Sequence, residues 1–165
     1  AAEYAGAFSS GTSSVVVMAD GQRLTLTDNG KAYRLVSQGD DQFWTDDPNF
    51  SLFYLAFGRN KARAVDEFFY GSDFYTNDRY TGPRSFPHPA RYDRLVGRYE
   101  SGLGFITRVV LVKGKLTLDG SQPLKELRNG RFAAGNQIVR FDTPVAGSMQ
   151  RMWLDEVDLY RVELP

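Results

Sequence analysis

Cysteine is absent, histidine occurs once, and no apolar run approaches the roughly 20 residues that a membrane-spanning helix requires. The first absence removes disulfides, thiolate nucleophiles and thiol zinc sites together, and leaves the redox compartment open. The second makes any Ser-His-Asp arrangement depend on His88, which lies between two prolines in "FPHPA" and reads as an exposed linker imidazole rather than a general base. Net charge is missing too, since Lys plus Arg (20) equals Asp plus Glu (20). No long-range positive field is therefore expected to gather nucleic acid or anionic lipid.

Catalytic motifs are equally scarce. No serine is followed three residues later by lysine, and neither Lys-Thr-Gly nor Gly-x-Ser-x-Gly occurs. Without Cys and with one His, a metal site would need a carboxylate cage. The acidic pairs Asp40/Asp41, Asp46/Asp47 and Asp66/Glu67 lack the alternating spacing of a calcium loop and read as solvated turn acids. No catalytic residue, no metal and no cofactor is expected, so the chain reads as a non-enzyme. "NFS" at Asn49–Ser51 has the form of a glycosylation sequon and reads as a strand edge. The opening "AAEY" would suit a mature N-terminus left by cleavage at small residues.

What the sequence does have is aromatic residues, 14% of 165, and self-similarity. "EYAGAFSSG" (Glu3–Gly11) is echoed by "RLVGRYESG" (Arg94–Gly102), which aligns Gly6 with Gly97 and Phe8 with Tyr99. "RLTL" at Arg23 is echoed by "KLTL" at Lys115, "QFW" at Gln42 by "RFA" at Arg131, Gly58 by Gly147, and "VDE" at Val65 by "LDE" at Leu154. The matches are collinear at a spacing of about 90 residues, which predicts an internal duplication. Residues 1–80 form the first copy, the proline-rich 81–93 an extended non-sheet linker, and 94–165 the second copy.

Inside each copy, short runs alternate apolar and polar residues, as in Arg23–Thr27, and Thr107–Gly120 reads as a hairpin turning at Lys113-Gly114. Turn residues recur in "ADGQ", "DNGK", "SQGDD", "RNGR" and "AAGN", and no window carries a clean helical stripe. "RNKARAVDEFF" fits a strand better than a helix at its aromatic end. The spacing predicts about seven or eight strands per copy, and closure of so small a meander removes its exposed edges. The fold class is therefore all-β: two small antiparallel barrels of about eight strands in tandem.

The segments "LVGRYES", "VVLVKGKLTLDG", "RFAAGNQIVRFD" and "LDEVDLYRVEL" resemble the lipocalin-like C-terminal domain appended to serine hydrolases of the penicillin-binding and β-lactamase class, including D-aminopeptidases. The likeness covers residues 94–164 and, more loosely, 3–80. It implies a non-catalytic accessory region in which lipocalin-like barrels pack on an upstream hydrolase domain, shape access to its active site, and lie in the periplasm or outside the cell. The alternative is a free-standing lipocalin-like binder of a small apolar ligand. Aromatics crowd the first copy, and their default role is core filling. For a ligand-binding role Trp44, Tyr54, Tyr70 and Trp153 are the candidates, on aromatic character alone.

Overall fold

Leu24 and Leu26 turn inward and are buried while Thr25 and Thr27 take the opposite face, the outcome expected of period-two alternation on a half-buried strand. Asn29 and Gly30 both take positive φ, 48° and 78°, as a tight primed hairpin turn requires. Repetition of such strands and turns builds the molecule. The computed structural model describes residues 1–11 and 13–164.

The chain divides into two compact units, Ala1–Ser85 and a second from Phe86 onward, so the division falls inside the proline-rich stretch. The first unit contains β1 (Gly6–Ser10), β2 (Ser13–Asp20), β3 (Arg23–Asp28), β4 (Lys31–Gly39), β5 (Gln42–Trp44), β6 (Leu55–Arg59), β7 (Val65–Tyr70) and β8 (Asp73–Thr76). Each strand is antiparallel to the next, and β8 returns to β1 through Ser9 and Thr76 to close a barrel.

The second unit contains β9 (Gly97–Glu100), β10 (Ile106–Val112), β11 (Lys115–Leu118), β12 (Gln122–Pro123), β13 (Lys125–Glu126), β14 (Phe132–Ala134), β15 (Gln137–Val145), β16 (Ser148–Leu154) and β17 (Val157–Arg161). Its strand order runs β12-β11-β10-β9-β17-β16-β15-β14-β13. The two ends of that order are neighbours in the chain. Between them the Leu124 N–H donates to Leu116 O at 2.9 Å, so residues 122–126 act as one strand bonded to β11 by its first half and to β14 by its second. The second sheet closes as a barrel as well. The hairpin expected at Lys113-Gly114 joins β10 to β11.

The interiors differ in filling. In the first barrel Phe8, Phe57, Phe68 and Tyr75 are buried in a chain of ring contacts with centroids 5.3 to 5.9 Å apart. The second core is mainly aliphatic, built on Val109, Leu111, Leu116, Val139, Met152 and Leu159 around Tyr99 and Phe132.

The residues matched between the two copies fall on corresponding strands at some positions and not at others. Phe8 and Tyr99 open equivalent strands, Leu24 and Leu116 share the third, and Phe43 and Phe132 lie on β5 and β14. Gly58, however, lies within β6 whereas Gly147 sits in the turn after β15; Asp66 lies within β7 whereas Asp155 sits in the turn before β17. A loop at 45–54 separates β5 from β6, where β14 and β15 are joined by a tight turn. The shorter β6 and β7 (5 and 6 residues, against 9 and 7 for β15 and β16) then restore the numerical offset after the strands have slipped out of correspondence.

Of three further local expectations, the strand at the aromatic end of "RNKARAVDEFF" holds and the other two change. Asn49 and Phe50 belong to the 3-10 helix Pro48–Phe50 rather than a strand edge, because Asp47 caps it by accepting from the Asn49 N–H at 3.0 Å. The "DEFFY" segment is strand β7, entered from a turn at Asn60–Ala64. The end of the proline-rich stretch is not wholly extended: Ala90–Arg94 forms a 3-10 helix whose Tyr92 packs against the second core.

Candidate functional site

Antiparallel connection places alternate turns at the same barrel end, and in each unit a 3-10 helix closes one end. In the first, Ala2–Tyr4 tucks Tyr4 against Phe43 and Phe57, with ring centroids 5.0 and 5.1 Å away. The Tyr4 hydroxyl donates to Asp41 Oδ1, and Arg59 grips the same carboxylate through Nε and a terminal nitrogen, both at 2.8 Å. Arg59 also reaches Glu3 at 2.9 Å. The guanidinium, and then the Tyr4 hydrogen bond, hold the Asp41 carboxyl below its ordinary range against the opposing effect of burial.

The second unit repeats this latch from other parts. Tyr92 of Ala90–Arg94 lies 6.0 Å from Phe132, the counterpart of Phe43, and its hydroxyl donates to Glu126 Oε2 at 2.8 Å. Arg91 donates to both Glu126 oxygens at 2.9 and 2.8 Å. Nearby, the Tyr99 hydroxyl donates to Leu95 O at 2.8 Å, and Arg161 donates to Val96 O and Met149 O. Burial pushes the Tyr99 phenol up to about 12, with the Arg161 charge opposing it.

The other end of the first barrel is covered by 45–54. Phe50 and Phe53 stand edge-on to Tyr70 at 4.8 and 5.3 Å, the Leu52 N–H donates to the Tyr70 hydroxyl, and Asn49 donates to Asp28. Asp47 is fully buried and its Oδ2 has no hydrogen-bond partner; burial raises its pKa, and the nearby Asp28 and Asp46 charges add to the shift.

The four aromatic residues chosen from sequence do not gather. Tyr70 packs on the first core beneath the 45–54 cover and Tyr54 ends that loop, whereas Trp44 is exposed at the end of β5 opposite Val36. Trp153 lies in the second unit on β16. The acidic pairs are less solvated than expected: Asp41 is in a latch, Asp47 is a buried helix cap, and Asp66 and Glu67 are buried within β7. His88 is also tied down, with Nε2 2.7 Å from Asp93 Oδ1 and Nδ1 facing Phe86 O at 3.4 Å. Among the described residues no group of three or more His, Asp or Glu is placed to hold a metal ion. No helix among them is long and apolar enough to cross a membrane.

The strongest candidate site is the outer face of the second barrel around Trp153. Strand register sets Ile106, Glu100, Tyr160, Arg151 and Asp142 side by side across β10, β9, β17, β16 and β15, with Trp153 opposite Arg140 one step along. The Arg140 and Arg151 guanidinium carbons lie 4.4 and 5.0 Å from the Trp153 ring centre. Asp142 accepts from Arg151 at 2.7 and 3.1 Å, from Trp153 Nε1 at 3.0 Å and from Thr143 at 2.9 Å, and Arg151 above all draws its pKa down to about 2.

Beside this row the β9–β10 loop presents Leu103 (85% exposed) and Phe105 (64%), adjoining Ile106 and Tyr160. The loop is internally braced. Ser101 Oγ accepts from the Leu103 and Phe105 N–H groups, and the Ser101 N–H donates to Phe105 O at 2.9 Å. Exposed Tyr, Phe and Leu beside Arg and Trp on a rigid sheet have the composition of a protein-binding surface. The one sequence signal was "SGLGFIT", apolar residues in a Gly-rich turn where polar ones are usual. The chain matches no protein-family model, no curated protein and no solved structure.

Proposed function

We propose that the chain is a non-catalytic accessory region of a serine hydrolase of the β-lactamase and D-aminopeptidase kind, and that the outer face of its second barrel meets the catalytic domain. The partner class rests on the resemblance of residues 94–164, and the periplasmic or secreted location goes with it. The observation that carries the docking role is the braced, exposed Leu103, Phe105, Ile106 and Tyr160 surface beside Trp153. Burying such side chains against a partner is worth about 1.5–3 kcal/mol each for full transfer from water. The alternative, a small apolar ligand inside a barrel, is less well supported because Tyr4, Phe8, Phe43, Phe57 and Phe68 already meet one another in the first interior.

The test is a photo-crosslinking residue at position 105 in the full product of the intact reading frame. Crosslinked peptides from a domain carrying Ser-x-x-Lys are expected. A reading frame without such a domain, or acylation of this chain itself by a fluorescent β-lactam, would overturn the proposal.

A further inference from the structure

We propose that the end of the second barrel carrying Lys115, Lys125, Arg128 and Arg131 docks on an anionic phospholipid bilayer. The whole-chain charge of zero conceals a segregation. From Phe86 onward Lys and Arg outnumber Asp and Glu by twelve to nine, and the preceding unit reverses the balance, eight to eleven.

Within the second barrel the charges separate again, by end. The turns at Asp119–Gly120 and Asp155–Glu156 carry acids, whereas the opposite end, with turns at Lys113-Gly114, 127–131 and Ala146-Gly147, gathers cations. Thr117 pairs with Pro123 and the Leu124 N–H donates to Leu116 O, which brings Lys115 and Lys125 to the edge of that pairing, where the chain leaves β11 for β14. The Leu127 N–H donates to Arg131 O at 2.7 Å and folds Arg128 and Arg131 into the adjoining turn. All four cations are exposed and, among the described residues, none is joined to a carboxylate. The nearest acid in sequence, Glu126, is occupied by Arg91 and Tyr92.

Like charges gathered at the ends of adjoining strands repel one another, so this cluster has a cost that an anionic surface would relieve. Other arginines show the contrast, since Arg59, Arg91 and Arg151 each grip a carboxylate. The choice of a bilayer over a soluble polyanion follows from two exposed apolar residues at the same end. Leu127 stands among the cations and Val145 (54% exposed) next to the β15–β16 turn, with Pro144 and Ala146 exposed on either side of it. A lipid interface accepts apolar tips between headgroup-facing cations, whereas a polyphosphate chain leaves them in water. Among the described residues, that end also has no exposed aromatic on which a base could stack.

Co-sedimentation of the intact chain with phosphatidylcholine vesicles, with and without one third phosphatidylglycerol, tests this directly. Binding should require the anionic lipid and fall as salt rises. Lys125→Ala and Lys115→Ala should each lower partitioning about fivefold, and Leu127→Ser should lower it further. Lys61→Ala, removing an exposed lysine of the first barrel, should leave partitioning unchanged. No binding to phosphatidylglycerol vesicles, equal binding to both vesicles, full binding by the folded Lys115→Ala/Lys125→Ala variant, or binding to single-stranded oligonucleotides in place of vesicles would each overturn the proposal.

Discussion

The two barrels solve one problem with different materials. Each closes an antiparallel meander, seals one end with a 3-10 helix, and locks that helix by a tyrosine hydroxyl and an arginine converging on one carboxylate. In the first unit the arginine comes from the end of β6, 55 residues from Tyr4; in the second it is Arg91, next to the tyrosine itself. The carboxylate moves as well, from the β4–β5 turn to β13. Closure of a small barrel thus fixes where a latch is needed, while leaving open which residues supply it.

The interiors carry the contrast further. Phe68 touches Phe8, Phe57 and Tyr75 in the aromatic first core, so Phe68→Ala should cost about 3–5 kcal/mol, the largest effect expected here. Each unit contains one of the two tryptophans, which gives a separate reading of each. Urea unfolding followed by Trp44 in a Trp153→Phe background should show the loss, and an unmoved midpoint would refute the ring-filled interior. Met152→Ala, read from Trp153 in a Trp44→Phe background, measures the aliphatic core on the same scale, with about 2–5 kcal/mol expected.

A reciprocal exchange at the opening strands tests the comparison residue by residue. Phe8 and Tyr99 are both fully buried, but only Tyr99 has a hydroxyl and the Leu95 carbonyl to receive it. Tyr99→Phe should cost about 1–2 kcal/mol, because the buried Leu95 acceptor loses its donor. Phe8→Tyr should cost at least as much, since it brings a hydroxyl into a fully buried apolar cluster whose neighbouring rings, Phe57 and Phe68, have no oxygen to receive it. If both exchanges proved neutral in the single-tryptophan urea assay, the two positions would not be the environments described.

Much of this architecture was legible as local pattern. Alternation at Leu24 and Leu26, the Asn29-Gly30 turn and the Lys113-Gly114 hairpin are set by neighbours in sequence, and they led to closed all-β units. The latches were not legible, because Tyr4 meets Asp41 across 37 residues and Tyr92 meets Glu126 across 34, and no spacing rule relates the two sets. The Asp66 and Asp155 match misled for a related reason: an inserted loop and shortened strands kept the offset while changing the environment. Among the residues chosen for binding, Trp153 came to lie on the candidate face, but its value there derives from Arg140 across the ladder and from a loop some 50 residues earlier, information that aromatic character alone does not contain.

The smallest predicted effect concerns pH, and its sign separates the barrels. Asp142 has a folded pKa of about 2 against an ordinary value of 3.8, so the folded second unit holds this proton less readily than the unfolded chain does. The stabilisation is present above pH 4 and is lost as pH falls toward 2. In the first unit Asp41 is lowered, chiefly by Arg59, and slopes the same way. Asp47 and Asp73 oppose it: burial raises both, so their contribution is complete below pH 4 and is lost as pH rises through their folded values. Between pH 5 and pH 2.5 the urea midpoint reported by Trp153 should therefore fall by more than that reported by Trp44. Asp142→Asn should flatten the Trp153 profile, and Asp47→Asn should raise the Trp44 midpoint at pH 7, where the native carboxylate has an unpartnered buried oxygen. Equal acid slopes for the two reporters would mean that Asp47 and Asp73 do not offset the latch of the first barrel.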